Sequence, residues 1–153
     1  MDIVWKRICK GILLAMLLLG VAVISSCHED EEQQLTALVD SFSISYFNWR
    51  FQQAVPYCTD DSKPWLRYAA AQVHQADIDI LKAMDQGAEV EHGNIKYNDS
   101  GDTATVEVAV RNFLQMDTIG NAGQLVDEAR FLVPLVRQEG QWKVRLSGVL
   151  RQQ

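Results

Sequence analysis

The chain has 153 residues, a length that suits one domain of ordinary size. It carries 14 basic and 20 acidic residues, a formal net charge of −6, and contains no run of basic residues. Because contacts to phosphate groups need clustered Lys and Arg, this balance argues against a nucleic-acid partner.

The N-terminal segment has the order of a secretory signal. Lys6, Arg7 and Lys10 give it a positive start, residues 12–24 form an apolar run, and the small pair Ser25-Ser26 follows. The run has 13 residues, whereas a stable membrane span needs about 20. The segment is therefore predicted to be an export signal and not a membrane-spanning helix.

The end of this signal, Ile24-Ser25-Ser26-Cys27, resembles a bacterial lipobox, in which small residues precede an invariant Cys. The resemblance implies transfer of a diacylglyceryl group to the Cys27 sulfur, cleavage before Cys27, and often acylation of the new amine, for instance with palmitate, so that residues 1–26 are a signal peptide. Two or three acyl chains would hold the protein stably on a membrane. The alternative is an ordinary cleaved signal that ends near a Cys.

An acidic cluster follows the lipobox. Glu29, Asp30, Glu31 and Glu32 resemble the export signal of surface-exposed lipoproteins of Bacteroidota, which implies a lipid-anchored protein on the outer membrane, exposed at the cell surface. The cluster is also typical of a solvated tether, because like charges repel and extend a chain. Residues 27–32 are predicted to be this tether, and a location facing the periplasm stays open.

One cysteine remains for the folded domain. Cys9 leaves with the signal and Cys27 takes the lipid, so Cys58 has no partner for an internal disulfide. We expect it to be buried and inert, the alternatives being a reactive thiol or an intermolecular bridge. No Cys/His pair has the spacing of a metal site, and neither a metal nor a cofactor is predicted.

Two helices are predicted after the tether. Over Gln33–Val55, apolar side chains recur with the 3.6-residue period of one helical face, and Pro56 ends the pattern. The second helix is predicted over Lys63–Gln86, with Gly87 as a suitable C-terminal stop. The first helix is rich in aromatic residues, which favours a helix that covers a sheet or lines a cavity.

The pattern then changes to the two-residue period of strands. Four strands are predicted, over residues 90–97, 103–114, 125–138 and 142–147. The alternation slips across Gly93-Asn94, which indicates a bulge, and Pro134 indicates an edge or a bulge in the third strand. Glu139-Gly140 predicts a tight hairpin. The order favours an α+β fold, with two N-terminal helices packed on an antiparallel four-stranded meander.

This element order, together with the hairpin Gly140-Gln141-Trp142-Lys143-Val144, resembles the NTF2-like (cystatin-like α+β cone) superfamily. The chain looks closest to small NTF2-like lipoproteins of the DUF4878 type, with the domain over residues 33–153. The resemblance implies that the sheet is curved and leaves a pocket. It implies no particular activity, because one fold supports many functions.

Aromatic residues and one histidine are the candidates for such a pocket. They are Tyr46, Trp49, Trp65, Tyr68, His92, Tyr97 and Trp142. No carboxylate is predicted on an apolar face, since Glu107 and Glu128 alternate with apolar neighbours and are expected to face solvent. The pattern therefore assigns no catalytic residue. His92 lies beside the expected bulge, a common position for functional residues.

Three functions remain open. The first is a non-catalytic binding or interaction module, anchored to the membrane through Cys27, which holds a small apolar ligand in its pocket. The second is an assembly role, in which the exposed sheet face pairs with an envelope protein or with a second copy in a homodimer. The third is an enzyme in which His92 and a Tyr hydroxyl lie within hydrogen-bond reach in one cavity.

The lipid anchor is tested by intact-mass analysis of the native protein beside a Cys27→Ala variant. We expect the wild-type mature chain to begin at Cys27 and to carry acyl mass, and surface protease to remove its domain from whole cells. A mature wild-type chain with an unmodified Cys27 would contradict the lipobox interpretation.

Overall fold

The computed structural model describes residues 29–117 and 120–153. The predicted signal peptide and the lipid site Cys27 lie outside the described residues. By its internal contacts the chain divides into two compact units, Met1–Leu35 and Thr36–Gln153, and the second contains the whole sheet. No helix in the described part is long and apolar enough to cross a membrane.

The elements follow one another as helices and then strands. They are α1 (residues 29–47), α2 (Phe51–Ala54), α3 (Lys63–Ala71), α4 (Gln75–Ala83), β1 (Glu89–Tyr97), β2 (Thr103–Gln115), β3 (Gln124–Gln138) and β4 (Gln141–Val144). Each strand pairs antiparallel with the next, in the order β1-β2-β3-β4. The predicted α+β class with a four-stranded antiparallel meander is confirmed.

The core lies between the helices and one face of β2 and β3. Ala104, Val106, Val108 and Val110 are each at most 4% exposed, as their alternation in the sequence predicted. The register of β1 against β2 shifts between His92 and Ile95, which confirms the bulge at Gly93-Asn94. Glu139 and Gly140 both have positive φ, 52° and 78°, as a tight two-residue hairpin requires.

Pro134 lies in β3, which is an interior strand and not an edge of the sheet. β4 is short, however, and pairs with β3 only over Leu135–Gln138. The Pro134 carbonyl accepts a hydrogen bond from the Arg145 N–H at 3.0 Å, just past the last paired residue. The proline is tolerated because it lies where regular pairing with β4 has ended.

The first predicted helix, Gln33–Val55, is wrong as a single helix. α1 ends at residue 47, Trp49 takes a left-handed φ of 60°, and α2 starts at Phe51. The Trp49 N–H donates to the Tyr46 carbonyl at 3.1 Å, and the Arg50 N–H donates to the Ser45 carbonyl at 2.8 Å. These two bonds form a Schellman C-cap, which stops a helix whether or not the apolar pattern continues.

The predicted tether is described only from residue 29 onwards. Residues 29–32 are helical and not extended. Repulsion within the acidic cluster therefore does not force an extended chain.

The second predicted helix, Lys63–Gln86, is also divided. α3 ends at Ala71, and α4 starts at Gln75 with His74 as its N-cap residue in extended conformation. The Asp77 carboxylate accepts a hydrogen bond from the His74 N–H at 2.7 Å, the arrangement of a capping box.

Asp77 also joins α4 to the segment that leads into β3. It is only 1% exposed, and its second oxygen accepts a hydrogen bond from the Gly123 N–H at 2.6 Å. A Cβ at Gly123 would lie 2.7 Å from the Gln115 carbonyl oxygen, so the segment can pack this closely only with glycine. The expectation that no carboxylate lies on a buried face is wrong for this residue.

We expect Asp77→Ala to lower the free energy of unfolding by about 1–3 kcal/mol, since the buried Gly123 N–H and the partly buried His74 N–H lose their acceptor. Urea denaturation followed by circular dichroism measures the change. The matched control is Asp79→Ala on the same helix, where an exposed pairing with Gln75 is lost and the expected cost is at most about 0.5 kcal/mol. Equal losses in the two variants would contradict a structural role for the buried carboxylate.

Candidate functional site

A cavity of about 630 Å³ lies where β2 and β3 extend past their neighbours. β1 pairs with β2 only as far as Arg111, so the end of β2 at Phe113–Gln115 extends beyond it. The cavity is closed from other sides by the ends of α1 and α3 and by residues 149–152 of the C-terminal segment. Two surface grooves are of similar size, about 620 and 640 Å³, so volume alone does not identify a site.

The aromatic lining distinguishes this cavity. Phe47, Phe113 and Phe131 form a triangle of rings, with centroid distances of 4.6 Å (Phe47–Phe131), 5.6 Å (Phe47–Phe113) and 5.7 Å (Phe113–Phe131). Tyr46 lies 5.5 Å from Phe51, edge to face. We call these five residues, together with Trp49, the aromatic cage. Such pairs contribute stability beyond the area they bury, so the wall is expected to be rigid.

Trp49 combines a strained backbone with a fixed side chain. Its φ of 60° is rare for a residue with a bulky side chain and costs about 1–3 kcal/mol. The indole N–H donates to the Leu114 carbonyl of β2 at 2.8 Å, and the ring lies 6.1 Å from that of Phe51. This bond connects the end of α1 to the end of β2 and leaves the indole without a donor for a ligand.

The Tyr46 hydroxyl is likewise engaged. It accepts a hydrogen bond from the Leu150 N–H at 3.1 Å, and so holds the C-terminal segment against α1. Burial raises the pKa of the Tyr46 phenol above its ordinary value, because the phenolate would be poorly solvated there. The phenol therefore stays protonated at neutral pH.

The mouth of the cavity is polar. Gln72, Gln115, Asp117, Arg151 and Gln152 line it with three amides, one carboxylate and one guanidinium. Side chains at the mouth can orient a ligand, whereas the cage behind them offers apolar contact. This division is typical of small-molecule sites.

Three of the seven predicted pocket residues, Tyr46, Trp49 and Tyr68, line this cavity. Trp65 does not line it. It is 38% exposed and lines two neighbouring grooves, one of which it shares with Tyr68. The Trp65 and Tyr68 rings are 6.5 Å apart.

Tyr97 and Trp142 lie at the other end of the sheet. Tyr97 pairs with Ala104, nine residues before Phe113 on β2, a separation of about 30 Å along an extended strand. The Tyr97 and Trp142 rings are 6.0 Å apart, and the Arg137 guanidinium lies 4.9 Å above the Trp142 ring. They are two predicted pocket residues that do not line the cavity.

His92 is not in the cavity either. Its side chain is 41% exposed, and its Nδ1 lies 2.9 and 3.1 Å from the two carboxylate oxygens of Asp40 on α1. The cavity therefore does not contain the His92 and Tyr pair that an enzyme of the predicted kind needs. Within residues 29–117 and 120–153, no group of three His, Cys, Asp or Glu side chains could hold a metal ion.

Sequence reasoning missed most of the cage. Phe113 and Phe131 were not predicted as site residues, because within a strand a cavity-lining Phe has the same pattern as a core Phe. Asn112 gives the one local signal. Its φ of 50° interrupts the alternation of β2 and brings Phe113 to the buried face after Val110. Asparagine adopts this conformation more readily than most residues.

The outer face of the sheet carries ion pairs. Arg130 contacts Glu107 at 2.9 Å, and Arg111 contacts Glu91 and, at 3.9 Å, Glu128. Glu107 and Glu128 are thus on the solvent side, as expected. Charged pairs across this part of the outer sheet face disfavour an apolar partner there. The homodimer through the sheet stays a prediction.

Cys58 is buried, as predicted, with 6% of its surface exposed. Its Sγ donates to the Ala54 carbonyl at 3.5 Å. Burial raises the pKa of the Cys58 thiol to about 12, despite the opposing influence of Lys143. The reactive form is the thiolate, so this thiol is suited to packing and not to nucleophilic chemistry.

Comparison with known proteins shows a likeness in structure only. No family model and no curated protein matches this sequence. A protein provisionally assigned as a scytalone dehydratase, from Novosphingobium aromaticivorans, has a TM-score of 0.50 and 12% identity, with 84% of this chain and 88% of that chain covered. At this identity the likeness shows the fold and not the activity.

Two further solved structures are similar over much of the chain. One is a protein of unknown function from Mycobacterium tuberculosis, with TM-score 0.49, 19% identity and coverage of 84% and 75%. The other is provisionally described as an NTF2-like transpeptidase, from Campylobacter jejuni, with TM-score 0.44, 15% identity and coverage of 73% and 97%.

The raised pKa of Cys58 predicts a loss of stability in alkali. Between the ordinary thiol pKa of 9.0 and the folded value of about 12, the unfolded chain loses a proton that the folded chain keeps. The free energy of unfolding should therefore fall as pH rises above 9.0, and a Cys58→Ala variant should lack this part of the fall. Urea denaturation of both proteins between pH 8 and pH 11 measures the difference, and parallel curves would contradict the burial effect.

Proposed function

We propose that this chain is a lipid-anchored lipoprotein of the bacterial outer membrane, whose domain binds a small, largely apolar ligand without transforming it. The aromatic cage carries the proposal. It lines a cavity of about 630 Å³, within the range of about 300–1,000 Å³ that small-molecule sites occupy.

The hydrogen bonds inside the cage favour an apolar ligand. The Trp49 N–H is already satisfied by the Leu114 carbonyl, and the Tyr46 hydroxyl already accepts from the Leu150 N–H. A ligand with several polar groups would lose its hydration in the cage and gain few partners in return, which costs free energy. A hydrocarbon or aromatic group has no hydrogen bonds to water to give up, and its burial is favourable.

The same lining supports binding in preference to catalysis. General acid–base catalysis needs a titratable group within hydrogen-bond reach of the reacting atoms. Among the described residues that line the cavity, the carboxylate belongs to Asp117, which is exposed at the mouth, and the histidine considered as a base, His92, is on β1 beside Asp40. The cage itself supplies six aromatic side chains, of which only the Tyr46 phenol is titratable, and burial raises its pKa above the ordinary value.

The cellular location of the protein is part of the proposal and is supported by the sequence alone. The lipobox at Ile24–Cys27 supports acylation of Cys27, and Glu29–Glu32 support export to the cell surface. The membrane would then be reached through the lipid, with the domain free to meet ligands outside the cell. An apolar molecule is poorly soluble in water, so a binding protein held at the membrane would meet it where it accumulates.

Ligand binding can be tested with N-phenylnaphthylamine, a neutral aromatic dye that fluoresces in apolar surroundings. The mature chain with Cys27→Ala avoids competition from acyl chains. We expect saturable binding that Val149→Trp weakens at least about tenfold, since an indole at this wall residue fills space that the dye needs.

The matched control is Leu125→Trp, which adds a tryptophan at a residue that is 60% exposed and does not line the cavity. Its affinity for the dye should equal that of the parent, with circular dichroism used to verify that both variants fold. An absence of binding by the parent, or an equal loss in the two folded variants, would refute the cavity as the binding site.

A further inference from the structure

Arg151 is a cation at the cavity mouth that no described residue neutralises. Arg151 is exposed and belongs to the lining of both this cavity and a neighbouring groove, and its guanidinium has no ion-pair or hydrogen-bond partner among residues 29–117 and 120–153. Several other arginines of the domain are engaged, for example Arg130 with Glu107 and Arg145 with Asp61, both at 2.9 Å. Arg151 therefore keeps all of its donors available for a molecule that enters.

The backbone around Arg151 is fixed on both sides. The Leu150 N–H donates to the Tyr46 hydroxyl at 3.1 Å, and the Gln153 N–H donates to the Arg130 carbonyl at 2.9 Å. Gln152 forms an antiparallel bridge with Phe131, a member of the aromatic cage. These contacts hold the start of the Arg151 side chain at the mouth, so less conformational freedom is lost when it binds a ligand.

We propose that the ligand is an amphipathic anion, with an apolar body in the aromatic cage and a single carboxylate-like or sulfonate-like group at Arg151. This inference rests on the proposed ligand-binding function and specifies its ligand class. A planar guanidinium offers paired N–H donors that match the two oxygens of such a group. The amides of Gln115 and Gln152 at the same mouth add neutral donors.

The negative net charge of the mature chain makes Arg151 important for binding an anion. After removal of residues 1–26, which hold three basic residues and one acidic residue, 11 basic and 19 acidic residues remain, a net charge of −8. Asp117 also lies at the mouth and opposes an anion. An anionic ligand is thus repelled over a distance and can be held only by a local cation, which limits the number of its negative groups to about one.

The experiment compares two dyes that share one ring system. Anilinonaphthalene sulfonate carries one negative group, and N-phenylnaphthylamine carries none. In the mature Cys27→Ala chain, we expect Arg151→Gln to weaken the sulfonate dye about five- to tenfold and to leave the neutral dye unchanged. Arg151→Lys should retain part of the affinity, and added salt should weaken the sulfonate dye only when residue 151 is cationic.

Arg67→Gln is the matched control, because it removes the same charge from an exposed arginine on α3 that does not line the cavity. An equal effect of the two substitutions would overturn the inference, since net charge alone would then explain it. Unchanged sulfonate binding in Arg151→Gln, with normal binding of the neutral dye, would also overturn it while leaving the cavity as a site. Failure of both dyes to bind the parent would instead refute the proposed function.

Discussion

The cavity depends on the contact between the end of α1, the extended end of β2 and the middle of β3. The Phe47 ring contacts Phe113 of β2 and Phe131 of β3, and the Trp49 indole N–H donates a hydrogen bond to the Leu114 carbonyl. α1 must stop at residue 47 for this geometry, and Trp49 stops it in a conformation that bulky residues rarely adopt. The hydrogen bond and the ring contacts offset the backbone strain, so helix end, strand end and cage form together.

Polar groups near the cavity are used mostly to fix its walls. The Tyr46 hydroxyl secures the C-terminal segment, and Asp77 secures Gly123 beside the Gln115 carbonyl. Each of these groups already has a hydrogen-bond partner within the protein, so the cage offers a ligand few polar contacts. The mouth differs, since Arg151 has no such partner among the described residues. This contrast supports a ligand held mainly by apolar contact and oriented at one point.

Local pattern predicted the strands well and the helices less well. Period-two alternation identified the strands, the bulge at Gly93-Asn94 and the hairpin at Glu139-Gly140, because each depends on neighbouring residues. The helix breaks at Trp49 and His74 were missed, since apolar periodicity continues across both. The capping pair His74–Asp77 was the available signal for the second break. For the first break there was no such signal, because a tryptophan just after the helix end does not mark a stop in the sequence.

Short-range patterns and composition were enough to predict the α+β class, the order of the strands, the burial of Cys58 and an export route through Cys27. They were not enough to predict which aromatic residues share a cavity. Tyr97 and Trp142 have the same character as Tyr46 and Trp49, yet they lie about 30 Å away along the sheet. Periodicity fixes the face that a side chain occupies, whereas its position along that face depends on strand register and helix ends, which arise from contacts between distant residues.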